Sequence, residues 1–251
     1  VSEKSLIEQE KPNMHIFIIP GNPPALYFYK LWAEEIQREH GGCSVCISPY
    51  PQLPISDDSS RYLSDTAIIH GQQLLAFHKA VKKKVVVIGH SLGAWMALQL
   101  LKEHNEIIEN CFFLYPFLLR PSLKGRAILR SVRHLYWVPF IADFLLSCRG
   151  ILERFSKDLR YVTDEELCTS LALAYHEQKV IAPHKGTLQI PEQVRGKLHM
   201  IYCDQDTWCP QHTVNEMKKW ISCEKTETTH GFITSAQERA AVFRALLRRA
   251  S

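Results

Sequence analysis

The chain has 251 residues, which suits one α/β domain, or such a core with an insertion, better than a string of domains. With 46% hydrophobic and 22% charged residues it has the proportions of a globular chain with a sizeable core, which excludes disorder and coiled coil. The 30 basic and 26 acidic residues leave a net charge of +4, too mild to imply nucleic acid as a partner.

The first 13 residues are polar and carry no apolar segment of the signal-peptide kind, although a first residue other than Met leaves room for a removed targeting segment. Short apolar runs then alternate with longer amphipathic ones, the pattern of parallel strands joined by crossover helices. Residues 15–20 (HIFIIP), 43–48, 85–89 (VVVIG), 111–115 and 198–203 (LHMIYC) read as strands. Their near-continuous hydrophobicity predicts a sheet covered on both faces. Residues 27–39, 65–81, 92–104, 213–221 and 236–249 read as helices. The runs 82–84 and Arg244, Arg248, Arg249 fall at helix ends, where cations suit the macrodipole.

The alternation stops between Pro116 and about Pro191, where helical patterns occur without strands. The expected organisation is a core of residues 1–116 and 191–251, with 117–190 as a helical cap over the strand ends. In an open α/β sheet the ligand crevice lies at those carboxyl ends. The longest apolar stretch, 135–146, is interrupted by Pro139 and Asp143 and is too short to span a bilayer, so a soluble protein is expected.

Eight cysteines stand at 43, 46, 111, 148, 168, 203, 209 and 223, mostly inside apolar runs. Cys43 and Cys46 have CxxC spacing, but no second pair or nearby histidine completes a zinc site. Buried thiols in a reducing, cytoplasmic setting are the expectation, rather than bridges or a metal.

Gly89-His90-Ser91-Leu92-Gly93 is a G-x-S-x-G motif between a predicted strand and a predicted helix. That context is what a nucleophile elbow requires, since the sharp turn lifts Ser91 Oγ to the top of the sheet. Side chains at 89 and 93 would collide with neighbouring backbone. A serine hydroxyl needs a base, and 12 histidines compete for the role. His90 adjoins the serine and points another way, as a packed neighbour. His70 and His78 lie on a helical pattern, and His134, His176 and His184 fall in the cap. His230, in Thr228-Thr229-His230-Gly231-Phe232 ahead of the last helix, sits where a Ser…Asp…His chain order places the base, with Gly231 permitting a tight turn.

Asp204 and Asp206 both follow the strand at 198–203, and strand periodicity does not separate them. Asp206 lies farther out in the loop, where the group that orients an imidazole belongs. Asp204 stays open as the alternative, or as a turn-capping residue. For an oxyanion, the Leu92 amide follows the nucleophile directly. A second donor is expected from Pro20-Gly21-Asn22-Pro23-Pro24, where only Gly21 and Asn22 have an N–H. Asn22, past the glycine turn, is favoured.

The segments IFIIPGNP (16–23), IGHSLGAW (88–95), DTWCP (206–210) and HGFIT (230–234) resemble the lipid-droplet-associated hydrolase family of α/β-hydrolases, in that family's order and across nearly the whole chain. The resemblance implies an α/β-hydrolase-like, mostly parallel sheet with helices on both faces and a helical cap. It also implies Ser91 as nucleophile, Asp206 as acid and His230 as base, in a serine esterase or lipase acting on neutral lipid, with sterol esters as the usual substrate class. The chain starts almost directly at the PGNP strand, so the family's leading strands are absent or trimmed. The cap carries no matching motif.

Within the cap, Arg126, Arg130 and Arg133 share one helical face, followed by the aromatic-rich runs 135–142 and 144–146. Such a segment suits an interfacial helix at a lipid-droplet or membrane surface, and equally a cap helix whose apolar face covers the site. Either way the roof over Ser91 is apolar. The expected activity is hydrolysis of a hydrophobic carboxylic ester, a sterol ester or acylglycerol, with no cofactor and no metal. Acyl transfer or thioester hydrolysis on the same triad is one rival, and a non-catalytic lipid-surface binding protein is another.

Overall fold

The computed structural model describes residues 14–53, 58–136, 160–184 and 188–250, without the side chains of 132–136 and 250. Among these residues six strands form one sheet: β1 (His15–Ile19), β2 (Ser44–Ile47), β3 (Val85–His90), β4 (Ile108–Leu114), β5 (Leu198–Tyr202) and β6 (Ser222–Lys225). Their order is β2-β1-β3-β4-β5-β6 and every neighbouring pair is parallel. Chain order reverses direction between β1 and β3, so the loops leaving these two strands part there and open a crevice.

Alternate side chains of each strand enter opposite layers. Ile16, Ile18, Val86 and Ile88 meet Trp32 and Ile36 of α1 (Leu26–Glu39) and Val242 and Leu246 of α8 (Ala236–Ala250). Phe17, Ile19, Val85 and Val87 face the other way, toward Leu63 and Leu74 of α2 (Ser59–Val81) and Met96 and Leu100 of α3 (Leu92–Glu103). Each such fully buried side chain stabilises the fold by roughly 1.5–3 kcal/mol. This is the α/β class with helices on both faces that the strand pattern predicts.

Several elements depart from the predicted bounds, among them β4, which starts at Ile108 rather than 111. Helix α2 starts at Ser59 rather than 65, because the Asp58 side chain caps it by accepting the Arg61 N–H at 3.0 Å. Helix α7 (Gln211–Met217) ends four residues before the predicted 221; bonds such as Lys219 N–H to Glu216 O tighten the chain into turns before β6 begins at Ser222. Strand β6, SCEK, is too short and polar to announce itself, as suits an edge strand paired on one side only.

Between β4 and β5 the described residues form three helices and no strand: α4 (Leu123–Tyr136), α5 (Asp164–Val180) and α6 (Glu192–Arg195). Helix α5 packs against both α4 and α2. Its N-terminus carries a capping box, in which Thr163 Oγ1 accepts the Glu166 N–H and Glu166 Oε2 accepts the Thr163 N–H. The other Glu166 oxygen accepts the Leu26 N–H at 2.8 Å, tying α5 to the start of α1. The Arg133 side chain and the runs at 137–142 and 144–146 fall outside the described residues. No described helix is long and apolar enough to cross a membrane. Cys43, Cys46, Cys111, Cys203, Cys209 and Cys223 are free thiols, and Cys168, on α5, is exposed.

Candidate active site

Ser91 stands between the last residue of β3 and the first of α3, with φ 53° and ψ −115°. This left-handed, strained backbone is pinned from both sides. Its N–H donates to Leu114 O at 2.9 Å and its carbonyl accepts the Phe117 and Ala94 N–H groups, each at 3.1 Å. A Cβ on Gly89 would lie 2.3 Å from Gly93 O, and one on Gly93 would lie 2.2 Å from Ile19 O. Both motif glycines are therefore required by close backbone approach, as their spacing predicts.

His230 and Asp206 reach this serine from the loops after β6 and β5. His230 Nδ1 is 2.8 Å from Asp206 Oδ2, and its Nε2 is 3.1 Å from Ser91 Oγ. The carboxylate can only accept, so Nδ1 carries the proton and Nε2 is left to accept from the serine hydroxyl. Asp206 is buried, and its second oxygen accepts the Trp208 and Cys209 N–H groups at 2.7 and 3.1 Å. Burial works to raise the Asp206 carboxyl. The His230 hydrogen bond, the charge of His230 and the two amides outweigh it and hold the group below the ordinary aspartate value. Asp204 takes no part: it is exposed and pairs with Lys225 Nζ at 2.6 Å. Gly231 has φ −84°, and a Cβ there would meet only Thr229 Oγ1 at 3.9 Å. The turn after His230 thus makes no demand for glycine, contrary to the reason inferred from sequence.

The loop 20–24 faces the serine from the end of β1: a Cβ on Gly21 would lie 3.1 Å from Ser91 Cβ. The Gly21 N–H donates to Tyr29 Oη at 2.8 Å, which leaves Asn22 as the uncommitted amide of the two. Leu92 is the first residue of α3, so no carbonyl one turn earlier within the helix claims its N–H. Among the described residues, the two expected amides thus belong to the first residue of α3 and to a loop residue that lines the same cavity as Ser91.

Several contacts at the site had no counterpart in the sequence reading. His90 is buried, with Nε2 3.0 Å from His230 O and Nδ1 2.5 Å from Tyr29 Oη. The His230 carbonyl can only accept, so Nε2 carries the proton and Nδ1 accepts from Tyr29. Burial, aided by the charge of His230, pushes His90 down to about 3 and keeps it neutral. One unbroken line of hydrogen bonds thus joins the Gly21 amide to the backbone of His230. The Asn22 side chain turns toward α5: Oδ1 accepts the Ser170 hydroxyl at 2.6 Å, and Nδ2 donates to Ser170 O at 3.1 Å and Glu177 Oε2 at 3.3 Å. These partners lie 148 and 155 residues away in sequence, beyond any local motif.

Ser91 opens into a cavity of about 190 Å³. Pro23, Phe117, Ile128, Leu129, Ala174 and Trp208 give it apolar walls, and Asn22, Ser170 and Glu177 give it one polar side. Among the described residues no cluster of His, Cys, Asp and Glu could hold a metal. The arrangement can deprotonate a hydroxyl, retain the resulting imidazolium beside a carboxylate, and offer amides to an oxyanion.

Comparison with known structures places this fold. The Vlm2 thioesterase domain superposes with a TM-score of 0.61 at 16% identity, over 95% of this chain and 98% of that one. A putative lipase from Acinetobacter baumannii gives 0.58 at 14% identity, over 94% and 84%. At these identities the likeness is one of fold, that of the α/β-hydrolases. In sequence, the lipid droplet-associated hydrolases of Homo sapiens and Rattus norvegicus are 26% and 27% identical, each aligned over 92% of this chain and 83% and 84% of their own lengths. The family model described as lipid-droplet associated hydrolase matches residues 12–233. The chain therefore belongs to the lipid-droplet-associated hydrolase family.

Proposed function

We propose that the chain is a serine carboxylic-ester hydrolase acting on a hydrophobic lipid ester, with Ser91 as nucleophile, His230 as base and Asp206 as the acid that orients it. The observation carrying this reading is the continuous Asp206–His230–Ser91 line at 2.8 and 3.1 Å. His230 takes the Ser91 proton as Oγ attacks the ester carbonyl, and Asp206 stabilises the imidazolium. The Leu92 and Asn22 amides hold the oxyanion. His230 returns the proton to the departing alcohol, and water then releases the acyl group with the roles reversed. No step needs a metal or cofactor.

The substrate class rests on the cavity walls and on the family, whose members named above are called lipid droplet-associated. We assign residues 117–190 the part of a cap: α4 supplies Ile128 and Leu129 to the cavity, while Leu123 and Ile128 are exposed on the same helix beside Lys124 and Arg130. A cationic, partly apolar exposed face suits contact with a lipid surface.

The test is turnover of a graded set of esters, from short p-nitrophenyl esters to mono- and triacylglycerols and a cholesteryl ester, by wild type and Ser91→Ala. Hydrolysis of apolar esters that disappears in the variant supports the reading. Turnover retained by Ser91→Ala overturns it. Products trapped by an added alcohol in preference to water would point to acyl transfer instead.

A further inference from the structure

The loop Pro20-Gly21-Asn22 is anchored at three successive residues. Tyr50 Oη donates to Pro20 O at 2.9 Å, Tyr29 Oη accepts the Gly21 N–H, and α5 grips the Asn22 side chain through Ser170 and Glu177. The first two anchors belong to the sheet layers. The third comes from the stretch between β4 and β5 and spends the whole amide of Asn22: its oxygen on the Ser170 hydroxyl, its nitrogen on Ser170 O and Glu177 Oε2. An Asn held at both ends of its side chain has its backbone oriented as well, because only three bonds separate the amide carbon from the main-chain nitrogen.

Glu177 is an unusual partner. It is 4% exposed, lines the same cavity as Ser91, and among the described residues it meets the Asn22 amide rather than a cation. Burial pushes its carboxyl up to about 8, with the Asn22 amide opposing part of the rise. A neutral carboxyl of this kind accepts through its carbonyl oxygen, places no charge beside a developing oxyanion, and keeps a proton to donate into the cavity.

We propose that Ser170 and Glu177 of α5 are positioning residues that set the direction of the Asn22 backbone N–H toward the oxyanion, so that the helical segment between β4 and β5 completes the catalytic machinery of the sheet. This rests on the assignment of Asn22 as an oxyanion donor made above. The contacts are made to the Asn22 side chain, not to substrate. Their loss therefore weakens a bond made in the transition state and leaves ground-state binding largely intact.

The experiment is steady-state kinetics of full-length wild type, Ser170→Ala, Glu177→Leu and Glu177→Gln on one soluble ester, with Ser91→Ala as the blank and melting temperatures recorded throughout. Removing an oxyanion donor outright costs about 10²–10³ in kcat, so tilting one is expected to cost on the order of 10- to 100-fold in Ser170→Ala and Glu177→Leu, with KM within about two-fold. Glu177→Gln keeps a carbonyl acceptor and a neutral donor in the same shape, and restores most of kcat. Ser170 is only half-buried, so its truncation tests the idea even where Glu177→Leu does not fold. Ser91-dependent turnover with kcat unchanged in Ser170→Ala, or a loss confined to KM, overturns this proposal and leaves the ester-hydrolase reading standing. Absence of Ser91-dependent turnover in wild type overturns both.

Discussion

The two sides of Ser91 are built on different principles. The side proposed to supply the base is charged and belongs to the sheet: Asp206 and His230 sit in loops after neighbouring strands, and a buried carboxylate is held by the imidazole and two amides. The side proposed to hold the oxyanion is neutral, and its outer wall is α5, a helix from the stretch between β4 and β5. A transferable proton requires a fixed charge to stabilise the imidazolium. An oxyanion requires only well-aimed N–H dipoles, which neutral side chains can orient without competing for the charge. Tyr29 and His90 run beneath the serine and connect the two sides through hydrogen bonds alone.

The largest effect should come from breaking the charged side. Asp206→Asn keeps the shape of the side chain but removes the charge and favours the wrong His230 tautomer, so kcat is expected to fall about 10⁴-fold with the fold retained, as read by ester turnover and circular dichroism. The link between the sides should matter less. Tyr29→Phe leaves the Gly21 N–H and His90 Nδ1 without their buried partner and should lower stability by about 1–3 kcal/mol in urea unfolding, with a kcat loss of roughly ten-fold.

The neutral side sets a stability trend with pH. Burial pushes the Glu177 carboxyl up to about 8 in the folded chain against an ordinary value of 4.5, so the unfolded chain gives up this proton first. The contribution of this group to stability is therefore undiminished below pH 4.5 and falls as pH rises from 4.5 to about 8. At pH 7 the difference amounts to roughly 3 kcal/mol. Glu177→Gln removes it, so the stability advantage of the variant over wild type should grow between pH 5 and pH 8 in denaturant titrations. His90 works in the opposite direction. Its folded value near 3 means that stability is lost as pH falls below 6.5, in wild type and variant alike. The smallest effect is expected at Asp204→Asn, which touches only an exposed pair with Lys225 and should leave kcat/KM within about two-fold.

These two sides were unequally legible in the sequence. The elbow could be read because a strained turn between a strand and a helix demands small residues at 89 and 93, and that demand is local. His230 was read from chain order and Asp206 from the strand end that carries it, with Asp204 left open beside it. Asp58 could have extended α2 to its true start, since a capping side chain three residues before Arg61 is also a local signal. On the side proposed to hold the oxyanion, the sequence reading reached only as far as Asn22. Ser170 and Glu177 are ordinary helical residues in sequence, 148 and 155 positions from Asn22, and no local signal announces them. His90 was read as a packed neighbour, and it is indeed buried, but its two hydrogen bonds depend on helix α1 and on the loop after β6. Contacts between distant elements are products of the fold, and only local chemistry leaves a local trace.

The most direct measurement is labelling of wild type and Ser91→Ala with a fluorophosphonate probe, followed by mapping of the labelled peptide. An activated serine beside His230 predicts a single adduct on the peptide containing Ser91 in wild type and none in the variant. An unlabelled wild type, or an adduct that persists in Ser91→Ala, would contradict the assignment of Ser91 as the nucleophile.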